Sequence, residues 1–284
     1  MNLIDPEKNG NLWPLYEGNI AGEQLLAGKT LDELQLEEAP AGVNGSQHAN
    51  AWVDSADWNA FIEHPTAGVL VTEAGDVLAY LEGKSEETLI ASHKSRLILH
   101  PWDLLYVNEQ IVSDLEESIY HGEVSPAAHV EGVLQVGEGT RILPGVFIEG
   151  NVVIGENCKV GPNCYIRGNT TIGDNCHIGQ AVEIKNSVIG HGSSVGHLSY
   201  VGDSIIGQKV NFGAATITSN LRHDGKNHRS MSAGVLVDSG RRKFGTIVGD
   251  GVHTGIQTAI YPGRKLGPGT TTRPSEDVSK DLTK

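Results

Sequence analysis

ILPGVFIEGNVVIGENCKVGPNCYIRGNTTIGDNCHIGQAVEIKNSVIG, residues 142–190, carries Val or Ile at every sixth position: Ile142, Ile148, Ile154, Val160, Ile166, Ile172, Ile178 and Ile184. Counting backwards in the same step reaches Val136, Val130 and Val124. Glycine often follows the aliphatic residue, as in Ile154-Gly155, Val160-Gly161, Ile172-Gly173 and Ile178-Gly179. Four residues after each aliphatic stands a small or apolar side chain, among them Ala128, Leu134, Thr140, Val146, Val152, Thr170 and Val182. A half-buried strand repeats every two residues and an α-helix every 3.6, so neither holds a six-residue register over this length. The pattern is that of a hexapeptide-repeat parallel β-helix, in which three hexapeptides make one triangular coil of about 18 residues. Coils then stack at about 4.8 Å, each pairing its backbone with the coil above and below.

Working outward, two steps shorten to five residues, at Ile189 and Ile206, with Val195, Val201 and Phe212 in phase around them. The period returns as Val248, Thr254, Ile260, Leu266 and Thr272. Between Asn220 and Lys243 it is lost, which predicts a loop excursion at 221–243 projecting from the prism, with His223 and His228 decorating it. Its residues, NLRHDGKNHRS at 220–230 and SGRRK at 239–243, are polar and basic and suit the handling of an anion. The chain's 3 cysteines, Cys158, Cys164 and Cys176, all fall on the small inward position. They are expected as buried small side chains, because this register turns no basic or histidine partner inward to make a nucleophile or a zinc site.

The rest of the chain is different in kind. Residues 1–123 hold a charge balance of −17 and 10 glycines, whereas residues 124–284 hold +3 and 26 glycines, within a total of −14. That break places a domain boundary near 120. Residues 1–120 read as a smaller acidic α/β domain. Ser55 is expected to cap a helix through Glu63; Gly68–Val71 and Val77–Leu81 read as strands joined by Ala74-Gly75-Asp76; Arg96–His100 reads as a strand; and Pro101 opens a helix burying Trp102, Leu105, Ile111 and Leu115. No Gly-rich phosphate loop is present in this part. The overall acidity argues against nucleic acid as a partner, no apolar run approaches the length of a membrane span, and no secretory signal is visible. An odd number of cysteines without such a signal suits a reducing, cytoplasmic setting.

Within the repeat, GHLSYVGD at 196–203 and NFGAATITSN at 211–220, with AVEIK at 181–185, YIR at 165–167 and KF at 243–244 leading into TIVGD at 246–250, resemble the acetyltransferase half of a known family. That family is the bifunctional N-acetylglucosamine-1-phosphate uridylyltransferase/glucosamine-1-phosphate acetyltransferase. The resemblance covers about residues 124–278. It implies a left-handed parallel β-helix for residues 121–284, a homotrimer with the active site between subunits, and acetyl-CoA as co-substrate with no metal needed for acetyl transfer. His197 would be the general base that takes a proton from the attacking amine, a task suited to an imidazole that is neutral around pH 7. Glu183 would orient His197. Arg167 and Lys185 would clamp a sugar phosphate, and Tyr200, Asn211 and Asn220 would read sugar hydroxyls and the amine. Lys243 would return from the loop as a further phosphate or hydroxyl contact. The Ala214 backbone would meet the acyl end of acetyl-CoA, where an N–H can stabilise an oxyanion, and Ile256 stands beside it where the family carries Ser.

Other features depart from the family pattern. The nucleotide-binding signature of its uridylyltransferase half is missing and 123 residues are too few for that domain; residues 1–120 are read as resembling a nucleotidyltransferase remnant, with no motif to mark it. The expected activity is therefore acetyl transfer to a hexosamine 1-phosphate, from glucosamine or galactosamine, in nucleotide-sugar biosynthesis without uridylyl transfer. Two alternatives stand beside it. One is a non-catalytic trimeric scaffold; the other is a zinc-dependent, carbonic-anhydrase-like β-helix, which needs three histidines on adjacent coils, whereas His191 and His197 belong to different faces.

Overall fold

A computed structural model describes residues 1–4, 12–15 and 25–283. It divides into two compact units, with the break in the main chain between Leu104 and Leu105. That is earlier than the composition break near 120. Most of the helix Pro101–Ser113, here α3, is counted with the second unit, because its side chains bond into the coils there. Asn108 Oδ1 accepts from the Thr171 hydroxyl at 2.7 Å, and Asn108 Nδ2 donates to the Asn169 carbonyl at 3.0 Å.

The second unit is a parallel β-helix. Three parallel sheets form its faces: a first with eight strands from Ile119–Tyr120 to Arg264–Leu266, a second with six from Glu123–Val124 to Asn211–Phe212, and a third with eight from His129–Glu131 to Asp277–Val278. The six-residue count becomes a register of coils. Ile148 pairs with Ile166 and Ile166 with Ile184 on the third face, while Val160 pairs with Ile178 on the second. The two five-residue steps shorten their coils without breaking this stacking, since Ile172 pairs with Ile189 and Ile189 with Ile206. The inward aliphatic column from Ile148 to Ile206 is 0–1 % exposed, so the repeat is the core. Cys158, Cys164 and Cys176 are buried in it. Burial pushes the Cys164 thiol up to about 12, and Cys176 is raised by its neighbour Cys158 and by burial.

A triangular prism must turn its chain three times per coil, and the corners do this with left-handed residues. Between the second and third faces the turn residue is Asn163, Ala181, Leu198, Ala215 and Gln257 in successive coils, each with φ between 52° and 60°. Non-glycine residues rarely adopt this region, and a ladder of inter-coil hydrogen bonds holds them there, including Leu198 N–H to Gln180 C=O at 3.1 Å and Ala215 N–H to His197 C=O at 3.0 Å.

The excursion departs from expectation. Rather than an irregular loop, it is an antiparallel β-hairpin, Arg229–Ser232 against Val235–Asp238, closed at its base by a bridge from Leu221 to Lys243. Gly234, with φ 79°, makes the tight turn. Nor does His228 decorate it: the residue is 2 % exposed, its Nε2 lies 3.1 Å from the Asn220 carbonyl, and its ring meets Phe244 edge-on at 6.4 Å. The arm is pinned further by Ser230 Oγ donating to the Gly263 carbonyl at 2.9 Å. Hydrogen bonds and buried packing win over the polar composition from which a free loop would be read.

Among the described residues, the first unit holds a five-stranded mixed sheet and the helices α1 (Leu31–Glu38) and α2 (Ser55–Glu63). Its strands run in the order Asn2–Ile4, Gly45–His48, Val77–Leu81, Ala67–Val71, Ser85–Ile90. The expected hairpin is present, with Leu70 opposite Ala79. α2 is capped by Asp54, not by Ser55: the Asp54 carboxylate accepts from Ala56 N–H at 3.0 Å, and Ser55 is the first helical residue. Lys84 Nζ closes the other end by donating to the Ile62 and His64 carbonyls at 2.7 and 2.6 Å. α1 has a capping box from Thr30 and Glu33. Of Arg96–His100, only Arg96–Leu97 is strand. In α3, Trp102 and Leu105 are buried as expected, but Ile111 is half-buried and Leu115 lies beyond the helix end.

Candidate active site

The third face carries the cluster. Outward side chains alternate with the inward aliphatics, so the same pleat that buries Ile166, Ile184 and Val201 presents Tyr165 and Arg167, then Glu183 and Lys185, then Tyr200 one coil further. The register puts Arg167, Lys185 and Gly202 in one column and Tyr165, Glu183 and Tyr200 in the next. Arg167 donates from Nε and Nη2 to Glu183 Oε1 at 2.9 and 2.8 Å, and its guanidinium lies 5.3 Å from the Tyr165 ring centre. Lys185 Nζ donates to both oxygens of Asp203 at 3.1 and 2.9 Å. Asn220, on the last ordinary residue before the arm, donates from Nδ2 to Asp203 Oδ2 at 2.6 Å and to the Tyr200 hydroxyl oxygen at 2.9 Å.

Gly202 is needed where it stands. A Cβ there would collide with the Tyr200 hydroxyl and lie 2.7 Å from Asn220 Nδ2. Burial, with Asp203 and Glu183 nearby, pushes the Tyr200 phenol above its ordinary range, so it remains a proton donor at neutral pH. The two cations are each held in place by a carboxylate, Arg167 by Glu183 and Lys185 by Asp203, rather than left loose in solvent.

Sequence reading missed the centre of this cluster. Asp203 is 2 % exposed and accepts from Lys185, Asn186 and Asn220 together. A signal for it exists in the corner between the third and first faces. That corner is turned by Gly132, Gly150 and Gly168, then by Asn186 and Asp203, all with positive φ. The switch at this corner from glycine to an amide and a carboxylate, both residue types that visit the left-handed region, is that signal.

The remaining candidates lie elsewhere on the chain. His197 ends the Ser194–His197 strand of the second face, opposite Gln180, and is exposed. Asn211 is exposed on the same face, opposite Ser194. Ala214 and Ile256 occupy the corner between the second and third faces, where their carbonyls accept from Gln257 at 2.7 Å and Ser275 at 2.8 Å. Lys243 is exposed at the base of the arm. Within one chain, then, Arg167, Glu183, Lys185, Tyr200 and Asn220 come together, while His197, Asn211, Ala214, Ile256 and Lys243 do not join them. Glu183 bonds to Arg167 and not to His197. Near His197 on the second face is His177, whose protonation is disfavoured by burial, Lys159 and His197 itself.

Two open grooves flank the cluster. One of about 510 Å³ runs along Phe147, Tyr165, Glu183, Leu198 and Tyr200. Another of about 610 Å³ lies between Ala259 and Tyr261 on the coils and Leu221, Arg222 and His223 of the arm. Ile217 lines both. Among the described residues, no three His, Cys, Asp or Glu side chains are placed to hold one metal ion. His191 sits at a corner of the prism, its Nδ1 accepting from Asp174 N–H at 2.9 Å.

Comparison with known proteins bears on this region. A family model described as the GMPPB C-terminal domain matches residues 148–264. The bifunctional sugar-1-phosphate nucleotidylyltransferase/acetyltransferase of Sulfurisphaera tokodaii is 41 % identical over 182 residues, covering 64 % of this chain and 45 % of that protein. The bifunctional protein GlmU of Methanococcus maripaludis strain C7 is 54 % identical over 168 residues, covering 59 % and 40 %. This chain thus spans less than half the length of these relatives. Among solved structures, the UDP-N-acetylglucosamine acyltransferase of Francisella novicida is 18 % identical with a TM-score of 0.34, covering 56 % of this chain and 63 % of that one, a likeness too distant to inform the site. At 41 % and 54 % identity, the matched part of this chain is similar to the corresponding part of these bifunctional proteins.

Proposed function

We propose that this protein transfers the acetyl group of acetyl-CoA to the amine of a hexosamine 1-phosphate, glucosamine or galactosamine 1-phosphate, in the cytoplasm and without uridylyl transfer. The observation that carries the reading is the third-face cluster, in which Lys185 and Asn220 are held by the buried Asp203, Asn220 also bonds the Tyr200 hydroxyl, and Arg167 is held beside them by Glu183. A sugar phosphate needs such donors for its phosphoryl oxygens and hydroxyls. The Sulfurisphaera tokodaii relative, whose name includes acetyltransferase, supports the class of reaction.

The chemistry follows from the groups available. The amine nitrogen attacks the thioester carbonyl carbon, His197 takes the N–H proton, the C–S bond breaks, and the CoA sulfur leaves to be protonated. The Ala214 N–H is the proposed donor to the oxyanion formed on the way. His197 and Asn211 lie on the second face while the sugar-binding cluster lies on the third. The site is therefore proposed to be completed between neighbouring copies in a homotrimer, where Glu183 of one copy can reach His197 of another and Lys243 can close over the phosphate.

The test is direct. Purified protein with acetyl-CoA is offered each amino-sugar phosphate, thiol release is followed, and the product is identified by mass. Turnover with at least one of the two, lost in His197→Ala, is expected. Absence of turnover with both would refute the reading.

A further inference from the structure

The hexapeptide repeat encodes neither α3 nor the arm, yet the structure ties the two together and wires them to the candidate site. Arg241, at the return of the arm, forms a bidentate ion pair with Glu109 of α3: Nη1 donates to Oε2 at 3.1 Å and Nη2 to Oε1. Both side chains are largely buried, at 16 % and 21 % exposure, so the pair is less screened than a surface one. Glu109 Oε1 also accepts from Asn186 Nδ2 at 2.6 Å, and the same Asn186 Nδ2 donates to Asp203 Oδ1 at 3.0 Å. Asp203 in turn holds Lys185 and Asn220. A continuous line therefore runs from Arg241 through Glu109, Asn186 and Asp203 to two side chains of the cluster.

We infer that Glu109 and Arg241 form a latch that docks the arm, and that Asn186 is a positioning residue through which this latch sets the placement of Lys185 and Asn220. The role rests on the function proposed above for the cluster, but the latch itself does not. Three details favour a built device over incidental contact. The Asn186 amide sits at a corner that earlier coils turn with Gly132, Gly150 and Gly168, so its side chain is not required by the backbone. Its one Nδ2 is shared between two carboxylates contributed by separate elements. Finally, Asn220 is the residue from which the arm departs, so movement of the arm pulls directly on the side chain that reads Tyr200 and Asp203.

The corner column supplies a clean variant. Asn186→Gly keeps a residue suited to φ 47° and cuts the line without touching Arg241, Glu109 or Asp203. Arg241→Met releases the arm from the other end. Both are compared with wild-type full-length protein by steady-state kinetics, thermal melting and hydrogen–deuterium exchange over 221–243. Each variant is expected to raise KM for the sugar phosphate about tenfold, with KM for acetyl-CoA unchanged, because the donors are misplaced rather than lost. The double variant is expected to be no worse than the poorer single one, since the two act on one line. Arm amides are expected to exchange faster in Arg241→Met. Wild-type kinetics in both variants, or fully additive effects, would overturn the positioning role. Unchanged exchange of the arm in Arg241→Met would overturn the latch. If wild-type protein turned over neither sugar phosphate while the arm still loosened in Arg241→Met, the functional reading would fail and the latch would stand.

Discussion

The lower coils of the β-helix, up to about residue 184, and the upper coils beyond it are built on one register but differ at one corner. In the lower coils the turn from third face to first is made by Gly132, Gly150 and Gly168; in the upper coils it is made by Asn186 and Asp203, and in the coil after that it opens into the arm. All five have positive φ, falling from 132° at Gly132 to 47° at Asn186 and 50° at Asp203, and glycine could serve at every one. What differs is that the upper side chains are bonded to Lys185, Asn220 and Glu109. In a repeat protein, a column that ceases to carry the residue its dihedral angles favour marks where the scaffold takes on a task.

That contrast can be broken at several points. The largest effect is expected at His197: replacement by Ala should lower kcat by about 10²–10⁴-fold, as for loss of a general base, with the melting temperature preserved because the side chain is exposed. Acetyl-CoA-dependent thiol release measures it. Next is Asp203→Ala, which leaves the partly buried Lys185 ammonium without its carboxylate. About 3–5 kcal/mol of stability should be lost, measured by denaturant unfolding, together with sugar-phosphate binding.

The far end of the upper coils offers a pH test. Lys265 is 0 % exposed, with its ammonium 5.9 Å from the Trp13 ring, and burial brings it down to about 8 despite Asp281. The folded state thus releases this proton above about pH 8, while the unfolded chain keeps it up to about 10.4. The unfolded state therefore holds more protons between these values, and stability should rise with pH from about 8 to about 10.4, by about 3 kcal/mol. Lys265→Met should flatten that rise in urea titrations at successive pH values. A slope unchanged by the substitution would contradict the assignment.

Two smaller substitutions sharpen the comparison. Gly202→Ala should push Tyr200 and Asn220 apart and raise KM for the sugar phosphate about tenfold, with kcat changed less. By contrast Gly150→Asn, which writes an upper-coil residue into a lower corner, should cost at most about 1 kcal/mol, because Asn tolerates the left-handed region. Its kinetics should be those of wild type. A large kinetic effect there would mean that the lower corner shares in the site.

The path from sequence to site was uneven for identifiable reasons. Arg167, Lys185, Tyr200 and Asn220 are legible only through the family resemblance of the segments that carry them; the six-residue period adds which neighbouring positions face inward. Asp203 was passed over although it closes the most recognisable segment, since a lone acidic residue at a turn reads as surface. The order of the arm is not legible in its polar composition because Ser230 and Arg241 hold it to Gly263 and Glu109, residues distant in sequence. Capping of α2 was misplaced by one residue, between Asp54 and Ser55, as two good cap types stand side by side.

By itself the sequence determined the parallel β-helix, its faces, its shortened coils and the burial of its three cysteines, because a six-residue period admits one solution in which every aliphatic points inward and every backbone group finds a partner. Only the tertiary structure decided that Asp203 is the hub of the cluster, that the excursion folds as a hairpin, and that α3 and the arm are joined at Glu109 and Arg241. The hub rests on side-chain hydrogen bonds from one coil to the next, the hairpin on pairing within the excursion, and the Glu109–Arg241 link on side chains far apart in sequence, and the six-residue pattern carries no record of any of these.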